Sequence, residues 1–185
     1  MNDSDEILIS VDVEAAGPVP GEYSLLSIGA CSVFHPQDTF ACKLKPINGN
    51  FDPKALEVSC LSLSDLERTG VQPVDAMQSF ANWIGELTNS KQNPVFVGFN
   101  APFDWSFVNY YFHRFMGSNP FGFTAIDIKA FYMGATGCKW KDTRSSKIAE
   151  SVKPILEGTH DALQDALYQA EIFRLILANQ HRNDE

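Results

Sequence analysis

The sequence predicts an α/β fold: a mixed central sheet of about five strands, the first three antiparallel, flanked by helices. Three observations predict it. The run Ile7-Leu8-Ile9-Ser10-Val11-Asp12-Val13-Glu14 is apolar and rich in β-branched residues, as a buried strand is. Two more strand-like runs follow it across short connections, which points to an antiparallel meander. After Pro53 the apolar spacing lengthens to the helical period, and helical segments then alternate with short apolar strands.

The chain has 185 residues, of which 44% are hydrophobic and 12% aromatic, enough to bury one substantial core. A single domain over residues 1–185, with its core at about 7–177, is the expectation. The start of the chain is acidic and polar, and no apolar run is long enough to span a bilayer, so no membrane partner is expected. Only the extreme ends look loose. Cys31, Cys42, Cys60 and Cys138 are widely spaced with no CxxC, which argues for reduced thiols in a cytoplasmic protein and against a zinc site. The net charge is −9, so any polyanion must be held by a local basic patch or by bound metal.

The first strand ends in two carboxylates two residues apart. Side chains alternate along a strand, so Asp12 and Glu14 share a face at roughly 6–7 Å separation. Like charges there repel and resist desolvation, and a divalent cation between them relieves both costs. Ala15-Ala16-Gly17-Pro18 follows, a loop of small residues whose backbone a ligand can approach. Ser24–Phe34 and Thr39–Leu44 are the next strands. Pro53–Glu57 and Ser64–Arg68 read as short helices, the second with a capping box at Ser64 and Glu67. Pro73–Leu87 is a longer amphipathic helix with Val74, Met77, Phe80, Ala81 and Ile84 facing the core.

Asn93–Asn100 is a buried strand running into a turn, and Pro102 begins a helix to about Met116. Asp104 lies in its first turn, where a β-to-α connection delivers a third acid to the strand ends. Phe123–Ile128 is another strand, with Asp127 as a strand-end or capping acid and a helix starting near Ala130. His35 and His113 read as surface or packing residues. Five of the chain's fourteen Lys and Arg lie between Lys139 and Lys153. Lys139, Lys141 and Arg144 around Trp140 suit a phosphate backbone and a stacked base. The last helix is expected from Thr159 to about Leu177, with an apolar stripe of Leu163, Ala166, Ala170, Phe173 and Leu177. Asp165 sits early in it among small and apolar neighbours, and such a carboxylate requires a partner. His160 precedes it near the helix entrance.

Val11-Asp12-Val13-Glu14, Phe99-Asn100-Ala101-Pro102-Phe103-Asp104 and His160-Asp161-Ala162-Leu163-Gln164-Asp165-Ala166 stand in order along the chain. Together they resemble the three motifs of the DEDDh 3′–5′ exonucleases, the DnaQ-like branch of the ribonuclease H-like fold. The resemblance spans Ile7 to about Leu177. Phe99 stands where many relatives carry His, and Ala15-Ala16 where many carry Thr-Thr, although Gly17 remains. Neither departure touches a metal ligand.

The resemblance implies a nuclease that shortens single-stranded DNA or RNA, or short oligonucleotides, from 3′ ends to nucleoside 5′-monophosphates. It implies two divalent cations, Mg²⁺ or Mn²⁺, held by Asp12, Glu14, Asp104 and Asp165, with Asp12 bridging. His160 becomes the general base, histidine being the residue type whose ordinary pKa lies nearest neutrality. Ala15, Ala16, Gly17, Asn100 and Phe103 would hold the terminal nucleotide, and Lys139, Trp140, Lys141 and Arg144 the strand behind it. Relatives occur as monomers and as homodimers. The competing readings are a metal-dependent phosphoesterase for small nucleotides and a catalytically idle nucleic-acid-binding module. All five acid and histidine residues are present, which weighs against the idle module.

Overall fold

A computed structural model describes residues 5–88 and 92–183, with no side-chain description for 181–183. The expected loose ends, residues 1–4 and 184–185, lie outside the described residues. Five strands form one mixed sheet in the order β3-β2-β1-β4-β5. They are β1 (Glu6–Ala15), β2 (Leu25–Ser32), β3 (Thr39–Lys43), β4 (Asn93–Gly98) and β5 (Ala125–Asp127). The first three pair antiparallel, as expected, and β4 and β5 add in parallel on the other side of β1. β1 is therefore central, with neighbours on both edges and its carboxylate-bearing end in the middle of the sheet.

Alternation along β1 sorts its residues between two helical layers. Ile9, Val11 and Val13 face one core, shared with Met77, Phe80 and Ile84 of α3 (Pro73–Thr88) and with Phe107, Val108, Tyr111 and Phe112 of α4 (Pro102–Met116). Each such buried aliphatic side chain contributes about 1.5–3 kcal/mol relative to exposure. Stacked rings of Phe40, Phe80 and Phe112 continue this layer. The opposite face is covered by α5 (Ile128–Thr136), α6 (Ser145–Val152) and α7 (Ala162–Asn183), around Ile128, Ile148, Ala170, Ile172 and Phe173. Ser10 faces this side, donating its hydroxyl to the Ala166 carbonyl at 2.8 Å. By the strand period Asp12 and Glu14 face it too.

Several elements depart from the expectations. Val74 is 48% exposed; the first turn of α3 instead buries Pro73 and Ala76. The second short helix, α2 (Leu63–Thr69), is capped by Ser62, whose hydroxyl accepts from the Asp65 N–H, and not by Ser64. A cap must precede the first helical residue, and Ser64 already lies within the helix. α1 runs Pro53–Ser59 behind an Asp52 cap. β5 is three residues long, because Asp127 caps α5 and the chain turns helical at Ile128. Phe123 is left 88% exposed outside the strand. The last helix begins at Ala162, so Thr159, His160 and Asp161 form a loop before it. α6 and a 3-10 turn over Trp140–Asp142 occupy the stretch read only as basic. No described helix is long and apolar enough to cross a membrane.

Candidate active site

β1 brings Asp12 and Glu14 to its end, and the other acids arrive from both helical layers. Asp104 comes from the first turn of α4 and is 4% exposed. Its Oδ1 accepts the Val13 N–H at 3.0 Å, so it is fastened between the two acids of β1. That bond uses a backbone donor at the bulged end of the strand, where the ladder with β2 shifts register after Glu14. Asp165 comes from α7 on the opposite side. Its carboxylate accepts two backbone N–H bonds, from Thr159 at 2.7 Å and from His160 at 3.0 Å. Asp161 caps the same helix through the Gln164 N–H.

These bonds explain where His160 sits. It lies exposed in the loop before α7 with φ at 59°, a left-handed conformation that a non-glycine residue adopts only when its surroundings hold it there. The two bonds to Asp165 supply that hold. Ligand atoms of Glu14, His160 and Asp165 all lie within 4.8 Å of one another. His160 lies near the helix entrance, and the expected helix start at Thr159 is what is corrected: the residue is on a tight loop before α7, tied to one acid and beside another.

The helix bearing Asp165 can lie this close only because of Gly29. Gly29 pairs with Asp12 across β1 and β2. A Cβ added there would stand 2.1 Å from the Ala162 carbonyl carbon and 2.2 Å from Leu163 N. The first turn of α7 therefore rests directly on the sheet beside Asp12. Gln169, one turn past Asp165 and 4% exposed, spans the remaining gap. Its Nε2 donates to Asp12 Oδ1, while its Oε1 accepts the Phe99 N–H at 2.8 Å. The sequence reading missed Gln169 and Gly29. A glutamine on the buried face of an apolar helix was the available signal for the first.

Electrostatics at this cluster are severe. Burial pushes Asp12 well above the usual carboxylate range, and Asp104, Asp165 and Glu14 add repulsion that the Gln169 hydrogen bond only partly offsets. Glu14 is pushed up to about 7, by burial first and then by Asp165 and Asp161. Burial also raises Asp104, against the Val13 N–H bond that favours its charged form; Glu14 and Asp127 push it further up. Burial is the largest cause for Asp12, Glu14 and Asp104 alike, and repulsion from neighbouring carboxylates adds to it. An oxygen-rich, anionic donor set of this kind fits a hard divalent cation.

The other expected site residues fare unevenly. Ala15, Ala16 and Gly17 are buried rather than open to a ligand. Ala16 donates its N–H to Ser24 and accepts from Asp52, and a Cβ on Gly17 would meet the Tyr23 ring at 2.4 Å. The glycine serves packing here. Phe103 is half-buried in the first turn of α4, its ring 5.3 Å from that of Phe107. Asn100 is exposed in a left-handed conformation, and its neighbour Ala101 donates to Asp127 Oδ2 at 2.8 Å. Asp127 thus caps α5 and steadies the turn before Asp104. Lys139, Trp140, Lys141 and Arg144 are all exposed on the connection between α5 and α6. Trp140 alone of these is tied toward the acids, through Lys129, whose Nζ lies 4.5 Å from its ring centroid and 3.4 Å from Asn100 Oδ1. His35 and His113 are exposed, as expected.

A ribonuclease H-like sheet with acids and a histidine at its central strand end is the framework of a nuclease, and Glu14, His160 and Asp165 stand close enough together to hold a metal ion. The family described as exonuclease, RNase T, matches residues 9–173. The chain belongs to that family, and it is a 3′–5′ exonuclease. It is 56% identical over 176 residues to a protein of Escherichia coli named 3′-5′ DNA exonuclease Cap18, covering 95% of this chain and 94% of the relative. Among solved structures, the nuclease domain of 3′hExo, a DEDDh family member, bound to rAMP, superposes with a TM-score of 0.75 at 15% identity. That match covers 96% of this chain and 94% of the other. E. coli Exonuclease I in complex with a dT13 oligonucleotide gives 0.70 at 16% identity, over 97% of this chain and 42% of that one. At these identities the two structures speak to the fold.

Proposed function

We propose that the chain removes nucleotides one at a time from the 3′ ends of single-stranded DNA, releasing nucleoside 5′-monophosphates. The observation that carries this reading is the four-carboxylate cluster with His160 at its edge. DNA is favoured as the polymer by the 56% identity to a relative named as a DNA exonuclease. Asp12, Glu14, Asp104 and Asp165 would hold two divalent cations, Mg²⁺ or Mn²⁺; a solved relative of the same fold is described in a Mg²⁺- and Mn²⁺-bound form. When bound, such cations supply positive charge for the arriving phosphate, the attacking water and the departing 3′ oxygen.

The chain's own residues do the rest. His160 takes a proton from the attacking water at a ring nitrogen, and the two backbone bonds to Asp165 keep its loop within reach of the cluster. The water oxygen bonds to phosphorus and the bond to the 3′ oxygen breaks, leaving the phosphate on the released nucleotide. Gln169 fixes the orientation of Asp12 and ties it to the turn at Phe99. Phe103 and Asn100 border the place where the terminal nucleotide enters, and Trp140 with Lys139, Lys141 and Arg144 offers the strand a basic, partly aromatic surface. The four cysteines stand unpaired, which fits a reducing compartment such as the cytoplasm.

The test uses 5′-labelled DNA and RNA 20-mers of one sequence with Mg²⁺ or Mn²⁺. A ladder shortening from the 3′ end is expected, faster on DNA and absent with EDTA or in Asp12→Ala. His160→Ala should turn over roughly 10²–10⁴-fold more slowly, the range for a general base. Near-normal cleavage by Asp12→Ala would overturn the carboxylate assignment, and cleavage confined to small phosphate esters would overturn the polymer.

A further inference from the structure

Lys129 has an electrostatically odd position. It lies in the first turn of α5, at the positive end of the helix dipole, where a cation is disfavoured. The ion pairs among the described residues are Lys45–Glu67, Arg68–Asp65 and Lys147–Glu150, and Lys129 belongs to none of them. Its ammonium instead rests 4.5 Å from the centroid of the Trp140 ring and 3.4 Å from Asn100 Oδ1, a long contact with a neutral acceptor. A group with three N–H donors is left without an anionic acceptor beside a nuclease site. Trp140 remains 53% exposed with the ammonium over it, so ring surface is still available to a base.

The position is also rigidly built. Asp127 caps α5 at Ala130 N and accepts the Ala101 N–H, which locks the start of α5 to the turn that carries Asn100. Thr143, wholly buried, donates its hydroxyl to the Trp140 carbonyl at 2.8 Å and holds the other side. Asn100 in turn lies next to Phe99, whose N–H shares Gln169 with Asp12. The ammonium is therefore linked to Asp12 through Asn100, the adjoining Phe99 and Gln169.

We propose that Lys129, steadied over Trp140, binds a backbone phosphate on the 5′ side of the scissile one. Chemistry sets the side. The released nucleotide takes the scissile phosphate with it, so every other phosphate of a 3′-hydroxyl end lies upstream. The contact therefore acts only on substrates with at least two phosphodiesters, and it makes the enzyme favour polymers over dinucleotides. This rests on the exonuclease reading above.

The test compares wild type, Lys129→Gln, Lys129→Arg and Trp140→Ala. Wild-type kcat/KM is measured on a dinucleoside monophosphate and on a pentanucleotide. In Lys129→Gln the ratio of pentanucleotide to dinucleotide should fall about tenfold, the worth of one charge-assisted phosphate bond, mostly through KM. Lys129→Arg should retain the ratio, and Trp140→Ala should lose part of it. Binding of a 5′-labelled single-stranded decamer in Ca²⁺, followed by anisotropy, reads the contact without turnover. Its slope of log K against log salt should become shallower by about 0.7 in Lys129→Gln, as expected for one lost phosphate contact on a single strand. Equal ratios and equal slopes in wild type and Lys129→Gln would overturn the proposal. A wild type that binds the decamer but shortens no DNA would instead overturn the exonuclease reading, with the slopes still deciding Lys129.

Discussion

Gly29→Ala is the substitution that most directly tests how the site is assembled. The added Cβ would lie 2.1 Å from the Ala162 carbonyl carbon and 2.2 Å from Ala162 O and Leu163 N. Ordinary contact begins at 3.4 Å, and all three obstructing atoms are backbone, which no rotamer change can move aside. The first turn of α7 must therefore lift by about 1.3 Å from the strand pair, and Asp165 and the His160 loop lift with it. Metal–ligand distances tolerate about 0.2 Å, and a misplacement of about 1 Å costs roughly 10²-fold in rate. A kcat loss of about 100-fold or more is expected, together with roughly 1–3 kcal/mol of stability from overpacking. For a chain of this size the melting temperature falls by roughly 2–4 °C per kcal/mol. Steady-state cleavage of a labelled 20-mer and thermal unfolding measure both. Gly85→Ala is the control: it lies in α3 with nothing within 4 Å of the added atom, and it should stabilise by about 0.5–1 kcal/mol with turnover intact. Wild-type turnover and melting temperature in Gly29→Ala would refute the claim that this glycine sets the distance from α7 to Asp12.

Two further predictions concern charge and support. Glu14 is raised to about 7 in the fold from 4.5, so the folded state holds more protons than the unfolded one between those values. Its favourable share of metal-free stability is thus full below pH 4.5 and lost as pH rises through about 7. Glu14→Gln should therefore melt higher than wild type at pH 8 in EDTA, and the gap should close toward pH 5. A gap that widens on acidification would contradict the assignment. Gln169→Ala leaves the Phe99 N–H and one Asp12 oxygen without their partner; it should lower metal affinity or turnover roughly 10–100-fold. Calorimetric titration with Mn²⁺ reads the affinity, and a variant matching wild type in both would remove Gln169 from the site.

Much of this molecule is written locally. The β-branched run at β1, the three-strand meander and the proline-led start of α4 are short-range patterns, and the sheet and the bounds of α4 follow them closely. Asp12 and Glu14 share a face because strands alternate, and Asp104 and Asp165 were legible as acids set early in helices. Their order along the chain, with His160, was enough to recognise the family. The sequence could not say which helical layer each acid comes from, because that depends on packing between segments far apart in the chain. Asp104 reaches Val13 N from one side of the sheet and Asp165 reaches the cluster from the other. The start of α7 was misjudged for a related reason: Thr159 and His160 spend their N–H groups on the Asp165 carboxylate rather than on the helix, a choice made by side-chain geometry. Ala15–Gly17 looked open because small residues permit close approach, and only the fold shows that Tyr23 and the strand partners fill that space. Gly29, Gln169 and Lys129 acquire meaning from contacts 70 to 157 residues distant or from a neighbouring loop. Residue type and spacing determine which groups can do the chemistry; long-range packing decides how close they stand and how deeply they are buried, and that burial above all raises Asp12, Glu14 and Asp104.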